Sequence, residues 1–270
     1  MRAFPDGAGG AADASTAPRL VVSAAWLVDA MARDATLQVI DVRDYASYLS
    51  GHIARAIHFD ASTLAATVNG VPSEVVDAAM VSSLLGRAGV RSGVTTVIYG
   101  DSTTTTPTRA VWTLHHYGND DVHLLDGGMT AWRAAGRAVE TASATPAAAT
   151  YATGAGRDLI DAAGVLARLG MSGVYLVDAR AASEYAAGHI PGARNVDWAS
   201  TVTGGSFRSD AELLARFAGI PTDAPVIAYC QSGARGSVVW VALRNLGFSR
   251  AVLYDGSWAE WSARAYPHEP

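Results

Sequence analysis

Lysine is missing altogether from these 270 residues, so all twenty basic positions are arginine. Any bound anion must therefore be met by guanidinium groups, backbone N–H groups or hydroxyls. Cysteine occurs once, as Cys230, which rules out an internal disulfide and gives no reason to expect an oxidising compartment. Charge is sparse, at 17% of residues, and the formal net charge of −5 supplies no basic stripe for nucleic acid or an anionic membrane. Neither partner is expected. Long apolar runs are absent too, since no window approaches the roughly 20 residues a membrane-spanning helix needs. The first 19 residues, MRAFPDGAGGAADASTAPR, have neither the apolar run of a secretory signal nor the basic amphipathic pattern of an import signal. They read as a disordered tail on a cytoplasmic protein.

What is present is an internal repeat. VIDVRDYASYLSGHIARAIHF (39–59) aligns with LVDARAASEYAAGHIPGARNV (176–196), pairing Asp41 with Asp178, Arg43 with Arg180, and Gly51-His52-Ile53 with Gly188-His189-Ile190. Further on, VIYGD (97–101) answers VIAYC (226–230), and LLDGGMTAW (124–132) answers LYDGSWAEW (253–261). Two halves that agree in order mark a duplicated domain. The expected partition is a tail over 1–19, domains over 20–140 and 157–270, and a linker over 141–156 that is low in charge and in large apolar residues. Each domain is long enough to bury a core of its own. This register sets Asp101 of the first half against Cys230 of the second.

In the second half VYLVDA, PVIAYC and AVLYDG read as short apolar strands, while DAELLARFAG, ARGSVVWVALRNLG and SWAEWSARA carry apolar residues at helical spacing. The alternation implies an α/β fold in which each domain is a parallel sheet with helices on both faces. Ligands of such sheets bind beyond the carboxyl ends of the strands. Cys230 stands at such an end, in CQSGARGS, just ahead of a helix. Gly233 and Gly236 permit turns that other residues resist. The backbone N–H groups of Gln231, Ser232, Gly233, Ala234, Arg235 and Gly236, curled at a helix N-terminus, would form an anion-binding nest that favours a thiolate. A lone cysteine is otherwise an inert, small apolar residue. The strand-Cys-loop-helix context favours a nucleophile instead.

The D-x-R…GHIPGA segment, the Cys-x-x-Gly loop after a strand and YDGSWAEW together resemble the tandem-domain rhodanese family, the thiosulfate/3-mercaptopyruvate sulfurtransferases, from about Val21 to Tyr266. The resemblance implies two tandem rhodanese-like domains, the first a degenerate copy and the second catalytic. Cys230 would take sulfane sulfur from thiosulfate or 3-mercaptopyruvate, become a persulfide, and pass the sulfur to cyanide or a thiol, with no cofactor or metal. Asp178 and Arg180 are expected to pair structurally at a strand end behind the loop. His52 and His189 occupy matching turns in both halves, which favours structure over catalysis, and His115-His116 show no ligand spacing to the cysteine. STTTTPT (102–108) stays open between a solvated loop and a wall of the cleft.

Gln231 and Ser232 stand where thiosulfate-type loops often carry basic residues, and Cys-x-Ser-Gly leans toward mercaptopyruvate enzymes. Glu184, however, falls where those enzymes are expected to place a carboxylate-binding arginine. Arg235 is the only basic residue within the loop, so it is expected to meet the donor, and thiosulfate is favoured. The competing readings are a non-catalytic rhodanese-like binding module, which usually lacks the cysteine, and a Cys-dependent phosphatase. The latter needs Cys-x5-Arg, and this chain has Gly236 at that position.

Overall fold

The computed structural model describes residues 19–143 and 146–270. Residues 1–18 of the expected tail lie outside them. Arg19, assigned to that tail, is instead anchored, with its guanidinium 2.7 Å from Asp210 and its carbonyl oxygen 2.8 Å from His123 Nδ1.

The first half runs β1 (Val21–Val22), α1 (Ala24–Arg33), β2 (Gln38–Asp41), α2 (Tyr45–Ser50), β3 (Ile57–His58), β4 (Ala65–Val68), β5 (Val71–Val75), α3 (Ala78–Arg87), β6 (Thr96–Tyr99), α4 (Thr105–His116), β7 (Val122–Leu125) and α5 (Gly128–Ala134). The second half repeats the order as β8 (Leu159–Ile160), α6 (Ala162–Leu166), β9 (Tyr175–Asp178), α7 (Ala182–Ala186), β10 (Ala193–Asn195), β11 (Val202–Thr203), β12 (Ser206–Phe207), α8 (Asp210–Arg216), β13 (Val226–Tyr229), α9 (Ala234–Asn245), β14 (Ala251–Tyr254) and α10 (Ser257–Ala263). Each half carries a five-stranded parallel sheet, β1-β7-β6-β2-β3 in one and β8-β14-β13-β9-β10 in the other, plus a small antiparallel hairpin. The central strands β6 and β13 are buried at every residue because helices cover both faces, which is why they read as unbroken apolar runs. Asp44, Asp77 and Asp161 cap the helices they precede by accepting N–H groups of the first turn.

The apolar core has private and shared parts. Each half has a private apolar cluster, around Val97 and Leu125 in the first and Ile227 and Val252 in the second. The largest cluster, however, draws on both, with Trp112 and Val111 beside Trp240 and Val239. Its axis is the packing of α4 against α9, where Thr108 Oγ1 lies 3.0 Å from Ser237 Oγ. Both helices are buried almost all round, as helices between two layers must be. The segment between the halves is likewise packed down. Ala149 N–H donates to the Gly86 carbonyl at 2.8 Å, an approach that leaves no room for a side chain on Gly86.

The hairpins are exchanged. Val75 N–H of the first-half hairpin donates to Asp255 Oδ2 at 2.7 Å, and Phe207 N–H of the second-half hairpin donates to Asp126 Oδ1 at 2.9 Å. Among the described residues no helix is long and apolar enough to cross a membrane.

Candidate active site

Strand β13 ends at Tyr229 and α9 begins at Ala234, so Cys230 to Gly233 form the turn between them. Gly233 adopts φ +81°, and an added Cβ would fall 2.1 Å from Asp255 Oδ1, so only glycine fits. The N–H groups of Cys230 and Gly233 both donate to Ser257 Oγ at 3.1 Å, and that hydroxyl donates to the Tyr254 carbonyl at 2.8 Å. The start of α10 holds the other side of the loop, since Trp258 and Ala259 donate to the carbonyls of Cys230 and Gln231 at 2.9 Å each. Cys230 is 1% exposed and unpaired. The first turn of α9 leaves the N–H groups of Ala234, Arg235 and Gly236 without partners inside the helix. With the helix dipole, they favour an anion there.

Ser232 and Ala234 of this loop line a cavity of about 450 Å³ between the halves. Thr105, Thr106 and Arg109 of α4 supply the facing wall, with Asp60 and Ser73 from the first half. The STTTTPT segment therefore leads into α4, whose first residues Thr105 and Thr106 face the cleft.

Behind the loop, Arg180 donates through Nε and Nη2 to Asp178 at 2.7 to 3.1 Å and through Nη2 to the Gly188 carbonyl at 2.7 Å. Its guanidinium lies 4.6 Å from the Trp258 ring centroid. Burial, together with the nearby Asp178 charge, pushes the Tyr229 phenol far above its ordinary range. The same pattern of Asp41, Arg43 and the Gly51 carbonyl recurs in the first half. His189 is tied to the Tyr185 carbonyl through Nδ1 at 3.0 Å and lies 3.4 Å from Glu269. Arg235, expected to meet the donor, donates through both terminal nitrogens to Glu184 at 2.5 and 2.8 Å. That hydrogen bonding holds the Glu184 carboxyl below the usual carboxylate range.

The pairing of Asp101 with Cys230 is corrected by one residue. The hydroxyls of Tyr99 and Tyr229 accept from Ile53 and Ile190 respectively, each at 3.1 Å, so these tyrosines correspond. Gly100 then takes the place of Cys230, its carbonyl accepting from Met129 as that of Cys230 accepts from Trp258. The first-half loop has one residue more before its helix, and an ungapped match hid it.

Arg109, Asp255 and Ser257 were not singled out from the sequence. The signal available was a departure from the repeat: Ser257, at φ +53°, occupies the place of Gly128, at φ +52°.

The sequence model of the rhodanese-like domain matches residues 23–135 and 161–264. The chain belongs to the rhodanese family. It is 32% identical to the thiosulfate sulfurtransferase of Corynebacterium glutamicum, with 90% of this chain and 88% of that one covered. It is 30% identical to the 3-mercaptopyruvate sulfurtransferase of Escherichia coli, covering 92% and 97%. The crystal structure of SseA from Escherichia coli superposes with a TM-score of 0.79 at 28% identity, covering 89% of this chain and 99% of that chain. In this rhodanese both matched segments contain the buried Asp-Arg pair, but cysteine stands at the strand end in the second alone.

Proposed function

We propose that this rhodanese is a sulfurtransferase that carries sulfur on Cys230, with residues 157–270 as the catalytic half and 20–140 as a degenerate copy. The supporting observation is the chain's single cysteine at the carboxyl end of β13, in a turn anchored by Ser257 and continued by the free N–H groups of α9. In the first half-reaction the Cys230 thiolate attacks the outer sulfur of thiosulfate. An S–S bond forms to Cys230, the bond between the two thiosulfate sulfurs breaks, and sulfite leaves with that electron pair. With 3-mercaptopyruvate the C–S bond breaks instead, and the thiol proton ends on the carbon of pyruvate. In the second half-reaction cyanide or a thiolate attacks the outer sulfur of the persulfide and restores the Cys230 thiolate.

Because the Gly233 N–H is taken by Ser257, the N–H groups of Gln231, Ser232 and the first turn of α9 hold the anionic donor, and thiosulfate is the favoured donor because Arg235 adds a cation beside them. Asp178 and Arg180 keep the strand end rigid behind the loop. The reading includes a cytoplasmic location and no nucleic-acid or membrane partner, supported by the unpaired cysteine and the net negative charge.

Intact mass after mixing with thiosulfate or 3-mercaptopyruvate tests it. The expected product is protein heavier by one sulfur atom, which cyanide removes. Cys230→Ser should take up no sulfur and have no measurable turnover, because a hydroxyl cannot carry a persulfide. Sulfur uptake by the folded Ser variant would end this reading.

A further inference from the structure

The turn at Gly233 is packed against a carboxylate that its own half does not hold. Arg109, on α4 of the first half, forks onto Asp255 through both terminal nitrogens, Nη1 to Oδ1 and Nη2 to Oδ2 at 2.8 Å. Nη2 also donates to the Ser73 carbonyl at 3.0 Å, and the guanidinium lies 4.7 Å from the Trp112 ring centroid. Arg109 and Asp255 are only 7% and 2% exposed. Asp255 reaches forward to the loop in two ways. Its Oδ1 fills the space where a Gly233 side chain would stand. Two residues on, Ser257 accepts the N–H groups of Cys230 and Gly233. Ser73 and Ser257, on either side of the ion pair, both hold positive φ, at +60° and +53°. Non-glycine residues keep such a conformation only where the surroundings enforce it.

The pseudo-symmetry of the duplication separates scaffold from site. The exchanged hairpin bonds occur in both directions, from Val75 to Asp255 and from Phe207 to Asp126. The arginine fork does not. The residue of α9 that answers Arg109, next to the facing pair Thr108 and Ser237, is Val238, and Asp126 takes the Thr103 hydroxyl at 2.8 Å instead. The scaffold is thus complete without this arginine, which is present only behind the loop that contains the cysteine.

We propose that Arg109 is a positioning residue for sulfur transfer, supplied by the first half. By fixing Asp255 it fixes the turn at Gly233 and the Ser257 hydroxyl, and so the direction of Cys230 and of the N–H groups that follow. This rests on the sulfur-transfer reading and gives the degenerate half a part in the reaction. The planar guanidinium is required because it holds both carboxylate oxygens at once, which an ammonium cannot do.

The test uses full-length Arg109→Gln and Arg109→Lys, below the onset of unfolding. His115→Gln is the control, since it removes a buried contact between the halves, His115 Nδ1 lying 2.9 Å from Asp158 Oδ2, toward the other end of the same helix. Steady-state kinetics with thiosulfate and cyanide are read beside alkylation of Cys230 by iodoacetamide, which needs no donor. Arg109→Gln should lower kcat about tenfold or more while KM changes less than about twofold, because displacement of reacting groups by an ångström is that costly. Alkylation should quicken as the loosened turn uncovers a cysteine now 1% exposed. Arg109→Lys should fall between, and His115→Gln should lose stability with kcat unchanged. An unchanged kcat in folded Arg109→Gln, or an equal loss in His115→Gln, overturns the proposal. A rise in KM alone overturns it in favour of direct donor contact. Should Arg109→Gln not fold, Arg109→Lys decides by the same criteria. If the unaltered protein gains no sulfur, the sulfur-transfer reading fails by itself, and the alkylation contrast still decides whether Arg109 positions the loop.

Discussion

Arg235 is the second residue of α9, directly after the Cys230 turn, and Glu184 already meets its charge through two hydrogen bonds. A dianionic donor therefore competes with a carboxylate for the same guanidinium. Because hydrogen bonding to Arg235 keeps the Glu184 carboxyl ionised to lower pH than usual, the competition persists at neutral pH and weakens only in acid. Glu184→Gln should lower the KM for thiosulfate roughly two- to fivefold, the scale of a partly exposed ion pair, and the gain should shrink as salt rises. Arg235→Ala should raise that KM about tenfold, the loss of one charge-assisted contact. Steady-state kinetics on both variants check this, and an unchanged KM in each would leave the donor to the backbone N–H groups alone. At this scale Cys230 was legible from its neighbours in the chain. Arg109 was not, because its partner lies 146 positions further on.

The hairpin of β4 and β5, together with Arg109 of α4, carries the first half's reach behind the loop. It carries Glu74, whose carboxyl is pushed up to about 7 by burial and by the charges of Asp255 and Glu260, with Arg109 and Arg264 offsetting part of this. A carboxyl raised above its unfolded value of 4.5 stabilises the fold fully only below that value. Its contribution is lost as pH rises through about 7, since the unfolded chain then gains more from ionisation. Glu74→Gln should therefore be more stable than the unaltered protein at pH 8 by on the order of 1 kcal/mol, allowing for solvent screening of a part-exposed group. The difference should vanish toward pH 4.5, as chemical denaturation at the two pH values would reveal. An equal offset at both would remove charge as its cause.

For the whole molecule, the shared core packs two copies of one fold against each other. Chains of this length often unfold in stages, domain by domain. Here Trp112 and Trp240 belong to one buried cluster, and α4 packs along α9, so separating the halves would expose the inner face of each. Scanning calorimetry should give one transition, with a calorimetric to van 't Hoff enthalpy ratio near one. Two resolved transitions would mean that each half's private cluster suffices to hold it folded.

The α/β class, the duplicated order of elements and the Cys230 loop were settled by the sequence itself. Continuous apolar strands such as Val226–Tyr229, helical spacing as in Ala234–Asn245 and a repeated Asp-x-Arg segment are local signals, carried by residues close together in the chain. The partners of those residues were decided only by the tertiary structure. Glu184 on Arg235, Gly100 rather than Asp101 opposite Cys230, and Arg109 behind Gly233 all depend on loop length or on contacts between distant segments. Such contacts leave no periodic mark in the chain, because what selects them is the close packing of two sheets and the need to pair a buried charge.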